Sequence, residues 1–110
     1  MTVLWTLLLA AVLEEVLFRG GLQEFIWRVR PTFLMRGVSW ANVMASGVFA
    51  VLHGLHRSWP LALCAGVAGL LLGWVYERRH QLLPCVALHA GMNLVWWMVR
   101  PLSSWAWLGS

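Results

Sequence analysis

Leu13-Glu14-Glu15-Val16-Leu17-Phe18-Arg19-Gly20 interrupts a stretch that otherwise reads as membrane-embedded. It follows an apolar run from Val3 to Leu13, broken only by Thr6, and Leu22 and Phe25 to Trp27 lie just beyond it. A charged side chain at mid-bilayer costs roughly 2.5–3.5 kcal/mol on insertion scales. Two carboxylates and a guanidinium are kept there only if other groups inside the fold meet them. Which groups those are decides both the architecture and the chemistry.

Hydrophobic residues make up 61% of the 110 residues and charged residues 11%, against roughly 25% charged in soluble domains. The chain therefore reads as an integral multi-pass membrane protein. Its length admits one domain, residues 1–110. The basic residues are all arginine, lysine and aspartate are missing, and Ile26 is the single isoleucine. That bias points to a GC-rich bacterial source and so to the inner membrane. The +4 net charge does not mark a nucleic-acid binder, because the arginines sit at segment ends, where positive-inside loops place them. Cys64 and Cys85 lie in apolar segments and read as packing residues rather than as a disulfide.

Four spans follow, so the expected fold is all-α, a polytopic transmembrane helix bundle. The first runs from Met1 to about Trp27. It has neither a basic leader nor a small-residue cleavage site, which makes it a span and not a signal peptide. The others cover about Val38–Leu55, Leu61–Tyr76 and Leu82–Val99, each long enough to cross. Arg28, Arg30, Arg36, Arg78 and Arg79 fall in two loops on one side, and Arg57 and Arg100 on the other. The positive-inside rule then places both termini outside the cytoplasm. Trp5, Trp40, Trp59, Trp105 and Trp107 near span ends suit an interfacial aromatic belt. Ala62, Gly66, Gly69 and Gly73 form a small-residue stripe, expected to seat a neighbouring helix of the same chain; a homo-oligomer is the other reading.

The polar residues of the other spans fall on single faces. Asn42, Ser46, Phe49 and His53 share one, and Val86, His89 and Asn93 share another. Glu15 and Arg19 are an i,i+4 pair in the favourable order. Glu14 is rotated about 100° from Glu15, so the two glutamates are expected to serve different partners. One is neutralised along its own helix by Arg19. The other must look across to His53, His89 or Asn93. Gln23 and Glu24 are expected at the interface, and Glu77 in a loop. A small ion carrier would line both halves of the membrane with polar groups, whereas this sequence concentrates them at one depth.

Glu14-Glu15-Val-Leu-Phe-Arg19 fits EExxxR, Phe49-Ala-Val-Leu-His53 fits FxxxH, and His89-Ala-Gly-Met-Asn93 fits HxxxN. In this order, each on its own span, the three blocks resemble the CAAX-protease and bacteriocin-processing (CPBP) family of intramembrane endopeptidases, over roughly residues 10–97. The resemblance implies hydrolysis of a peptide bond in a membrane-associated protein or peptide. It implies that Glu14 and His53 activate water, that His89 and Asn93 hold the oxyanion, and that Glu15 and Arg19 brace the site. Phe49 comes with its motif as a supporting residue. Burial suits a carboxylate to base chemistry. No cofactor is expected, the metal-free glutamic mechanism being favoured. Zinc on Glu14, His53 and His89 is the alternative, although the sequence has no HExxH.

Family members usually have about twice this many spans, so a homo-oligomer, a partner membrane protein or a further segment would shield the site. The competing functions are a catalytically idle immunity or scaffold protein of the same fold and the small ion carrier.

Overall fold

The computed structural model describes residues 2–99; Arg100, Trp105 and Trp107 lie outside them. α1 (Thr2–Glu15) passes directly into a π-helical segment (Val16–Gln23) and then into the short α2 (Glu24–Val29). The first predicted span is therefore not one uniform α-helix. The wider i→i+5 turn is seen at its end, where the Glu24 N–H donates to Arg19 O. Gly20-Gly21 sits at its centre and weakens the α-helical alternative. π segments are rare and concentrate at functional sites.

β1 (Phe33–Met35) and β2 (Val38–Ser39) form a small antiparallel hairpin within what the sequence suggests is loop. Its turn uses Gly37 at φ 78, a backbone region open mainly to glycine. α3 (Trp40–His56), α4 (Trp59–Arg79) and α5 (Leu82–Val99) follow. Ser39 and Ser58 are N-caps, their hydroxyls accepting from the Asn42 and Leu61 N–H groups. The α3–α4 turn is shorter than the sequence suggests, only Arg57 and Ser58. Gly54 permits this, because the Trp59 ring lies where its Cβ would stand.

α4 and α5 are long and apolar enough to cross a bilayer. Only 28% and 11% of their most apolar windows are buried, so they are not core helices of a soluble domain. Leu63, Val67, Leu83 and Val99 are all more than half exposed, as lipid-facing side chains are.

The helices form two pairs, α3 against α4 and α1 against α5, and the π segment lies against α3. The small-residue stripe is filled from within the chain. A Cβ on Gly66 would stand 3.2 Å from Ala50 and one on Gly69 3.2 Å from Ser46, while one on Gly73 would overlap the Asn42 amide. That face is thus closed to a second copy. Between the pairs lies a cleft of about 1040 Å³, running from Thr2, Arg57 and Trp97 at one end to Glu14 and His89 at the other.

Candidate active site

Leu7, Ala10 and Glu14, at helical spacing, turn one face of α1 into the cleft. Phe49 and His53 face it from α3, and His89 and Asn93 from α5. All four residues of the expected catalytic set therefore border one space whose remaining walls are largely aliphatic and aromatic. The Glu14 side chain is 33% exposed, while those of Glu15 and Arg19 are fully buried behind it.

His89 meets both glutamates. Its Nδ1 lies 2.7 Å from Glu15 Oε2 and its Nε2 3.2 Å from Glu14 Oε1. The expectation that the two carboxylates serve different partners is overturned. The two nitrogens of an imidazole lie on different edges of the ring, so one ring standing beside the helix bridges successive side chains. Both contacts are hydrogen bonds at once when the ring carries two protons. The imidazolium, the Arg19 guanidinium and the two carboxylates then sum to zero, as buried charges must be paired.

Arg19 braces Glu15 as expected, Nε to Oε1 at 3.4 Å. Its Nη2 also donates to the Gly69 carbonyl at 2.8 Å. This ties the π segment to α4, a contact for which the glycine spacing was the only signal in the sequence.

His53 makes its hydrogen bond within its own helix. Its Nδ1 lies 2.8 Å from the Phe49 carbonyl. A carbonyl only accepts, so Nδ1 carries a proton, and in the neutral ring Nε2 has the lone pair. The Phe49 ring packs against both imidazoles, with centroids 4.3 Å from His53 and 5.9 Å from His89. Phe18 backs it edge-on at 5.1 Å. Asn93 Nδ2 makes a long bond to the Leu7 carbonyl, 3.4 Å, from one turn beyond His89. Its second N–H is uncommitted by that bond.

A second polar layer lies deeper. Gln23 is fully buried, not interfacial. Its Nε2 donates to the Gly73 carbonyl at 3.1 Å and to Glu77 Oε2 at 2.8 Å. Glu77 belongs to α4, not to a loop, and accepts from the Ser39 hydroxyl as well. Asn42 donates to the Leu70 carbonyl at 3.0 Å and accepts from Ser46 at 3.0 Å. Glu24 accepts from Tyr76 at 2.6 Å and from Arg28 at 2.9 Å. Polar groups are therefore not confined to one depth. The hydrogen bonds of this layer run among its own members and to α4 carbonyls, and none of its members lines the cleft.

Among the described residues no three His, Cys, Asp or Glu side chains converge as a metal-ligand set. Glu14, His53 and His89 border one cleft without assembling into a zinc site, and His89 has both nitrogens on carboxylates. Cys85 is buried, whereas Cys64 is exposed and lines the cleft, so only Cys85 is the packing residue expected.

A family model described as type II CAAX prenyl endopeptidase Rce1-like matches residues 1–95. No curated protein and no solved structure matches the chain significantly.

Proposed function

The chain belongs to the Rce1-like family of type II CAAX prenyl endopeptidases, and from that premise we propose that the Glu14–His89–Glu15 cluster, with His53 and Asn93, is its peptidase centre. The protein is a CAAX-protease-like membrane hydrolase acting on a membrane-associated peptide or protein. The single observation carrying the residue assignment is the His89 ring clamped between Glu14 and Glu15 at one end of the cleft.

An ionised carboxylate accepts about four hydrogen bonds, so Glu14 can hold a water while it binds His89. That water attacks the scissile carbonyl carbon, and its proton passes to Glu14 or to the unprotonated Nε2 of His53. The developing oxyanion takes a hydrogen bond from the second N–H of Asn93, and one from His89 Nε2–H as Glu14 gives up that contact on taking the proton. Collapse breaks the C–N bond, and the captured proton goes to the leaving amine. Glu15 holds and orients His89, and Arg19 holds Glu15, without either touching substrate. No step is routed through a metal; Glu14, His53 and His89 are the residues that would hold zinc in the alternative. The apolar cleft walls suit a substrate segment that enters from the bilayer, and the four-span topology with both termini outside is part of the same proposal.

Glu14→Gln keeps shape and hydrogen bonding but removes the base. The variant is expected to insert and melt like the parent while cleavage falls at least about 10²-fold. Cleavage of a co-expressed membrane substrate, beside melting in detergent, measures both. Full turnover by this variant would sink the assignment.

A further inference from the structure

The end of the molecule opposite Thr2 and Arg57 carries a surface that peptidase chemistry does not use. β1 leaves Phe33, Leu34 and Met35 55%, 46% and 61% exposed, three consecutive apolar side chains at the tip of a polar loop. Arg28, Arg30 and Arg36 flank them, and Arg78 and Arg79 end α4 at the same level. The parts touch: Phe33 stands edge-on to Trp27 at 5.6 Å, and Trp27 lies 6.5 Å from His80. Trp27, Phe33, Gly37, Trp74 and Arg78 also share a pocket of about 340 Å³ with Glu77.

Charge is left over here. Glu24 is engaged by Tyr76, Arg28 and His80, and Glu77 by Gln23 and Ser39. Among the described residues no carboxylate pairs with Arg30, Arg36, Arg78 or Arg79. Arg30 and Arg78 lie over the Trp40 and Trp74 rings at 5.9 and 4.5 Å. Cation–π contact holds a guanidinium in place without neutralising it.

We infer that the β1–β2 hairpin and this arginine cluster form a binding surface for anionic phospholipid in the adjoining leaflet. Phe33, Leu34 and Met35 sit at the acyl boundary, and Arg30, Arg36, Arg78 and Arg79 hold the phosphate headgroups. The apolar tip separates a lipid from a soluble anion. It needs an acyl layer beside it, and the hairpin stands where α3 and α4 leave the bilayer. The arrangement holds the α2–α3 connection and the end of α4 at one depth.

The test uses the full chain, purified in neutral detergent and given phosphatidylglycerol or phosphatidylcholine. Bound lipid is counted by native mass spectrometry, and melting temperature is followed. Phosphatidylglycerol should be retained selectively and raise melting, and both effects should shrink at high salt. A surface arginine contributes about fivefold to partition onto an anionic leaflet. Arg36→Gln/Arg78→Gln/Arg79→Gln should therefore lower phosphatidylglycerol retention about a hundredfold. Leu34→Ser, which leaves the charge unchanged, should lower retention of both lipids. Equal retention of the two lipids by the parent overturns the proposal. So does an equal rise in melting with inorganic phosphate, or displacement of the lipid by a dilute acidic peptide.

Discussion

Replacing Glu15 by Gln should destabilise this protein more than replacing Arg19 by Met, although the two form one ion pair. Removing one partner of a buried pair costs about 3–5 kcal/mol, because the other is left as an uncompensated charge. Both side chains are fully buried, 3.4 Å apart, so that range applies. The difference comes from what remains. Without Arg19, Glu15 still has His89 Nδ1 at 2.7 Å, which places Arg19→Met near the lower end, about 3 kcal/mol. Without the Glu15 charge, Arg19 keeps only its bond to the neutral Gly69 carbonyl, and its Nε and Nη1 make no hydrogen bond. That places Glu15→Gln near the upper end, about 5 kcal/mol. The double variant removes both charges and should fall short of the sum, the coupling for residues in contact running to about 3 kcal/mol. Unfolding titrations in mixed detergent micelles would measure all four proteins. A less stable Arg19→Met than Glu15→Gln, or a strictly additive double variant, would refute the shared clamp on His89.

Chelators should leave purified activity intact and metal analysis should find no stoichiometric zinc; silencing by chelation with rescue by zinc would instead make Glu14, His53 and His89 ligands. A bulky maleimide should attach to cleft-lining Cys64 and slow cleavage while buried Cys85 stays unlabelled, and labelled protein with full activity would remove the cleft from the substrate path. Gly73→Ala should cost about 1–3 kcal/mol through overlap with the Asn42 amide. Gly47→Ala, with nothing within 4 Å, should be neutral or stabilising, and equal melting of the two would contradict close α3–α4 contact.

The sequence by itself singled out the polar residues that the fold must satisfy and the class of environment they lie in. A dipole of two carboxylates and an arginine amid apolar residues has few stable settings, so Glu14, Glu15, Arg19, His53, His89 and Asn93 stood out from solvation cost alone. Helical period put Asn42, Ser46, Phe49 and His53 on one face, and span length marked α5 at Leu82–Val99 as it stands. Those signals are local. What only the tertiary structure decided is who meets whom. Rotation along one helix says that Glu14 and Glu15 diverge, but not that one imidazole from α5 spans the divergence. The burial of Gln23 and Glu77 was hidden for the same reason. Their partners lie 38 to 54 residues away on the glycine face of α4 and at the N-cap of α3, and a polar side chain near a span end looks solvated until its distant partner is known. The π turn after Glu15 was equally illegible, because α and π forms use the same residues and differ only in which carbonyl each N–H reaches.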